Sequence, residues 1–143
     1  MANFVTAGEL KTHMYEEVVN EITRNDDSII EDAIDTALDE IKGWCSKYNI
    51  DTYLATITPS NRNKKLLSVA KDLSAWYLLH LCNVTIDYDK WKDLYDAGVM
   101  WLSQVQKGNI VLNLPLATIP GTSPAQNVNP IKWSSNTKRN NHY

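Results

Sequence analysis

The sequence predicts an all-α fold, a small bundle of about four to five helices with an extended C-terminal tail. Three observations carry this. Apolar residues recur at spacings of 4, 3, 4, 3 and 4 through Ile30, Ile34, Ala37, Ile41, Trp44 and Tyr48, one face of a 3.6-residue helix. A second run at helical spacing links Leu66, Val69, Ala70, Leu73, Trp76, Tyr77, His80 and Leu81. Beyond Gly108 the periodicity stops, and proline and asparagine accumulate.

Taken in order, Thr6 is an N-cap with Glu9 three residues on as its capping-box partner, opening a short helix to about Tyr15. Val18, Val19 and Ile22 mark a second short helix. Arg24-Asn25-Asp26-Asp27-Ser28 is a turn that caps the next element. From Ser28 to Tyr48 the helical stripe carries Glu31, Asp32 and Asp35 near its start and Lys42 and Lys47 near its end, the polarity that the helix macrodipole favours. The pattern breaks from Asn49 to Ser60. There Asp51-Thr52-Tyr53-Leu54 suits a short extended segment, and Pro59 resets the chain. The helix from about Asn61 to Val84 is apolar over more than half its circumference after Leu73, which places it centrally in the core. The helix from Asp87 to Lys107 lines one face with Trp91, Leu94, Tyr95, Gly98, Leu102 and Val105. A glycine inside a helix costs ~1 kcal/mol against alanine, so Gly98 points to a close helix–helix approach. Gly108 stops the helix.

This divides the chain into a helical body, 1–109, and a docking tail, 110–143. Ile110-Val111-Leu112-Asn113-Leu114 is a short strand-like stretch. The rest of the tail has no period and forms no core of its own. Apolar anchors in such a segment, Leu116, Ile119, Ile131, Trp133 and Tyr143, suggest docking. Residues 1–111 carry 11 Lys and Arg against all 17 Asp and Glu, a net charge of −6, whereas Lys132, Lys138 and Arg139 leave the tail at +3. An acidic body argues against one that wraps nucleic acid, which needs a cationic footprint. The three tail cations fit either a solubilising end or a contact with an acidic protein or DNA.

No motif carries chemistry. His13, His80 and His142 pair with no His or Cys at metal-ligand spacing; His80 fits a hydrogen-bonded core or interface histidine. Cys45 and Cys82 each fall on an apolar helix face, where free cysteine behaves as a small hydrophobe. A reducing, cytosolic assembly site is simpler than a disulfide between them. The acids around residues 25–35 fail the calcium-loop spacing, since the loop glycine is missing and Ile29 occupies a ligand position. The five glycines are not clustered, so no phosphate loop exists. No convergent titratable set marks an enzyme, and no catalytic residue, metal or cofactor is expected. The start of the chain lacks the pattern of a signal peptide, and no run reaches the ~20 apolar residues of a membrane span. Trp44, Trp76, Trp91 and Trp101 lie on expected helices and are read as core residues, Trp101 being best placed to reach a partner. Trp133 is either an exposed tail residue or an anchor in a partner's groove, and the anchor is preferred.

The order of elements also resembles a known group. Glu9-Leu10-Lys11 lies in the first helix, and Asn25-Asp26-Asp27 precedes the helix Ile30–Tyr48. Lys65-Leu66-Leu67, Ala70-Lys71-Asp72-Leu73 and Tyr77-Leu78-Leu79 follow, and the closing helix carries Tyr95, Gly98, Trp101, Leu102, Lys107 and Gly108. Over residues 4 to 114 this resembles the head–tail connector proteins of tailed phages, in particular the Mu-like family. Tyr53-Leu54-Ala55 with Pro59 is an approximate counterpart of that family's Tyr-x-Leu-Pro segment. The resemblance implies a non-enzymatic virion protein of the phage neck, assembled in the host bacterial cytoplasm. It implies a homo-oligomeric ring, a dodecamer, beneath the portal protein, bridging it to stopper or tail-completion proteins. DNA passes through its lumen without sequence-specific binding, and no membrane is involved. On this reading Ile110, Leu112, Leu114, Ile119, Ile131, Lys132, Trp133, Lys138, Arg139 and Tyr143 contact the portal or a neighbouring subunit. The alternative is a helical DNA-binding packaging or regulatory protein, for which Arg62–Lys71 is the one candidate recognition helix. Stoppers and tail terminators are β-rich and fit the helical stripes poorly.

Overall fold

The computed structural model describes residues 4–81 and 88–118. Among them the chain forms six α-helices and no strand. These are α1 (Ala7–His13), α2 (Glu16–Thr23), α3 (Asp27–Trp44), α4 (Ile50–Thr56), α5 (Lys64–Leu79) and α6 (Tyr88–Lys107), with a 3-10 turn at Pro59–Asn61 before α5. The all-α expectation holds, with one helix more than the sequence suggested. That helix is α4, in the stretch expected to be extended. Ile50 and Leu54, one helical turn apart, are both buried. Tyr53 packs on Phe4 at 5.9 Å between ring centroids and its hydroxyl accepts the Asn63 N–H at 2.8 Å. Tertiary burial overrides the weak helix propensity of Asp51 and Thr52.

Helix α5 is the centre of the body. Nine of its sixteen residues are buried, from Leu66 to Leu79, and it packs along both α3 and α6. Asn63 caps it, its side chain accepting the Leu66 N–H at 3.0 Å. The α3 stripe buries Ile30, Ala33, Ile34, Ala37, Leu38 and Ile41 against it. Helix α6 runs antiparallel to α5. Tyr95 stacks on Trp76 at 5.4 Å, Gly98 faces Leu73 and Val69, and Lys65 lies 5.9 Å over the Trp101 ring. A Cβ at position 98 would sit 2.9 Å from Leu73 Cδ1 and 3.3 Å from Val69 Cγ1, so the close approach read from Gly98 is present.

Two caps are also tertiary contacts. The Thr6–Glu9 capping box forms, with both bonds present, and Arg62 then clasps the same carboxylate at 2.6 and 3.0 Å. Arg62 also donates to the Phe4 carbonyl at 2.8 Å. A local helix start is thereby tied to the entrance of α5. Asp26 caps α3, accepting from the Ser28 N–H and hydroxyl, and Asp27 pairs with Lys11 of α1 at 2.8 Å. The acid-rich turn is a capping device.

Two measurements follow. Gly43, in α3, has nothing within 4 Å of a built Cβ, so Gly43→Ala should stabilise by ~0.5–1 kcal/mol through helix propensity. Gly98→Ala forces buried Leu73 to shift, and overpacking costs about 1–3 kcal/mol, so it should destabilise by ~1 kcal/mol net. Urea unfolding that gives both variants the same sign would refute the close packing of α5 on α6. Separately, the Arg62 guanidinium holds the Glu9 carboxyl below its ordinary value of 4.5. The unfolded chain therefore binds the extra proton, and stability rises with pH across that window. The stability gap between wild type and Glu9→Gln should be fully present above pH 4.5 and close as pH falls through the lower folded value. A gap that does not change with pH would show the pair to be inert.

Candidate functional site

Two surface features stand apart from the core: the place where the C-terminal segment leaves the body, and an apolar groove at the other end of α3. The first begins at Gly108, which has φ +83°. Past it the Asn109 and Ile110 N–H groups both bond the Gln104 carbonyl, at 3.0 and 3.2 Å, and the chain turns back along the body. Leu112 is buried and its N–H donates to the Tyr48 hydroxyl at 3.0 Å. Tyr48 is itself 3% exposed and forms an isolated antiparallel bridge with Leu116. The Asn49 N–H donates to the Pro115 carbonyl at 2.8 Å, and the Ala117 N–H to the Lys47 carbonyl at 2.9 Å. Residues 112–117 are thus fastened to the connector between α3 and α4. Ala117 and Thr118 end beside Lys42, Asn49 and Asp51.

The strand-like stretch expected at Ile110–Leu114 is not a strand. Its alternation is real, but Ile110, Leu112 and Leu114 turn inward, Leu112 fully and the other two partly packed on the core. The side chains left outward are Val111, 77% exposed and not among the expected contacts, and Leu116, 58% exposed, one of the apolar anchors read in the tail. Leu112 is spent inside its own chain. The expected contacts at Ile119, Ile131, Lys132, Trp133, Lys138, Arg139 and Tyr143 lie outside the described residues.

The groove has a volume of about 700 Å³ and lies between the end of α2, the first half of α3 and the end of α5. Ile22, Ile29, Ala33, Tyr77 and Leu81 supply its apolar walls, and Arg24 and Asp32 stand on its rim. Arg24 ends α2 in the left-handed conformation, φ 56°, as does Asn25 at φ 65°, and this double turn sets the angle between α2 and α3. Leu81 is 62% exposed. His80 is exposed, not in the core, and lies against Trp76 and Tyr88 at 4.6 and 6.3 Å between centroids.

Behind the groove, Glu40 of α3 braces three elements. Its carboxylate accepts from Tyr77 of α5 at 2.6 Å, from Tyr95 of α6 at 3.1 Å and from Trp44 Nε1 at 3.4 Å. Burial, reinforced by Glu40, pushes both phenols above their ordinary range, so they stay protonated donors at neutral pH. With both oxygens occupied, the carboxylate acts as a brace.

The remaining candidates resolve into structure. Cys45 is a buried free thiol that burial pushes up to about 11, so it stays protonated at neutral pH. Among the described residues no three His, Cys, Asp or Glu side chains are grouped to hold a metal ion, and no helix is long and apolar enough to cross a membrane. In the basic stretch Arg62–Lys71, Arg62 precedes α5 and is consumed by Glu9 and Phe4, and Lys65 covers Trp101.

The buried bond at Tyr48 is directly testable. Tyr48→Phe keeps the ring and strands the Leu112 N–H, which costs about 1–3 kcal/mol. Thermal unfolding should shift down accordingly, and trypsin cleavage after Lys107 should accelerate. Unchanged melting and cleavage would mean that the segment is not fastened there.

Compared with known families, residues 4–129 match the family model described as Bacteriophage Mu, Gp36. The match runs past residue 114, where the resemblance in the residues stopped, into the proline- and asparagine-rich segment. No curated protein and no solved structure matches the chain.

Proposed function

Because the chain belongs to the Bacteriophage Mu Gp36 family, and so is a bacteriophage protein, we propose that it is the head–tail adaptor of the virion neck. It forms a ring of subunits, a dodecamer, beneath the portal and bridges the portal to the stopper or tail-completion proteins. Its role is architectural, without a catalytic residue or cofactor, and DNA crosses the lumen without being read.

The observation that carries this reading is the fastened root of the tail. Three hydrogen bonds hold residues 112–117 against Tyr48 and its neighbours. A tail that holds Ile131, Trp133 and three cations without an acid therefore departs from a fixed point on a rigid body. A defined exit gives a tethered anchor a defined reach, and repetition around a ring multiplies weak anchors through avidity. Val111 and Leu116 at the exit add apolar surface for a neighbouring subunit. The acidic body and the consumption of Arg62 weigh against a DNA-binding role, which needs free cations along one face.

Co-sedimentation with the portal ring encoded beside it tests the reading. The full chain should bind, and a chain ending at Thr118, which keeps every contact of the exit, should bind more weakly. Absence of binding by the full chain would overturn the adaptor assignment. Equal binding by both forms would remove the tail from it.

A further inference from the structure

We propose that in the free subunit the groove between α2, α3 and α5 seats this chain's own Ile131-Lys132-Trp133, folded back from the exit at Thr118. A cleft of about 700 Å³ lies in the range of roughly 300–1,000 Å³ that accepts a compact apolar group. Its walls are left uncovered at Leu81 and half-covered at Ile29 and Tyr77. Burying an isoleucine and a tryptophan removes that apolar surface from water. The rim matches the segment's polarity. Asp32 has no ion pair among the described residues and can take Lys132, and Arg24 offers its guanidinium to the indole face.

Chain length selects the occupant. Ile131 lies thirteen residues past Thr118, and the intervening stretch holds Pro120, Gly121, Pro124 and Pro130 and no charged residue. Thirteen residues have a stretched limit of about 45 Å, and prolines favour spacings near that limit, about 3.1 Å per residue. Lys42 lies at the exit and Ile29 at the groove, both on α3. Thirteen helical residues separate them, about 20 Å of rise and about 140° of turn, so a chain running round α3 covers roughly 30 Å. The linker is long enough to span that path, and a tethered segment that reaches meets the groove at an effective concentration up to the millimolar range, which favours it over a second copy's. The seat then withholds Trp133 until a better partner takes it. The inference does not require the ring, because it concerns the subunit before assembly.

Disulfide trapping in the full chain tests it. Thr36 lines the groove and is exposed. A chain with Thr36→Cys and Lys132→Cys, in a Cys82→Ser background, should on mild oxidation give an internally linked monomer that runs faster on a non-reducing gel. Adding Leu81→Asp, at an exposed position and with circular dichroism confirming the fold, should abolish most of that product, and so should Trp133→Ala. Linked dimers as the main product would assign the groove to a second copy's tail and overturn the proposal. It would equally fall if no link formed, or if the yield ignored both substitutions.

Discussion

Helix α5 can be the centre of the body only if both neighbours come close enough to cover it. On the α6 side that closeness depends on the missing side chain at position 98, where the nearest Leu73 carbon stands 2.9 Å from a would-be Cβ. The glycine costs ~1 kcal/mol of helix propensity. In exchange Leu73 and Val69 are fully buried, and each such side chain is worth roughly 1.5–3 kcal/mol removed from water. Burial wins, which explains a glycine in mid-helix. The position of α6 then fixes everything downstream: where Gly108 turns the chain, where Leu112 enters the core, and which point of the body the tail leaves.

Apolar packing alone does not set the angle among α3, α5 and α6, since hydrophobic contact is not directional. The Glu40 carboxylate is directional. One oxygen accepts the Tyr77 hydroxyl of α5 at 2.6 Å and the other the Tyr95 hydroxyl of α6 at 3.1 Å, and bonds to an ionised acceptor are the stronger kind. A leucine at position 40 would avoid desolvating a charge but would leave two phenols without an acceptor at the back of the groove. The charged residue is tolerable because it is half-buried and because its three donors are neutral and aromatic.

What was legible in the sequence follows from range. The α3 stripe, the Thr6–Glu9 capping box and the stop at Gly108 depend on neighbours within a turn or two, and all three are in the structure as read. Gly98 was legible because a glycine without a local reason implies a distant one. Helix α4 was missed because its signal is one buried pair, Ile50 and Leu54, in a segment whose polar residues favour a turn. Its stability comes from Phe4 and Asn63, which no local pattern reveals. At Ile110–Leu114 the alternation was visible, but the side it buries depends on Tyr48, 64 residues away. The groove left no trace at all, since three separate helices supply its walls and the paired left-handed residues Arg24 and Asn25 set its opening. The family resemblance named the neighbourhood of function from core residues alone, and no reading of core residues finds a surface.

The body spends its hydrophobic residues inward so thoroughly that few large ones remain outside. Among the described residues the exposed large hydrophobics are Tyr15, Leu81, Tyr88, Met100, Val111 and Leu116. On the proposed adaptor reading, such a subunit finds its partners through its C-terminal segment. The root of that segment, residues 112–117, is fixed by the hydrogen bonds at Tyr48, Asn49 and Lys47. In a ring, weak contacts repeated from such fixed roots would distinguish a completed site from a stray subunit. On that reading the fastening at Tyr48, which ties residues 112–117 to the connector between α3 and α4, is the element of the fold from which recognition proceeds.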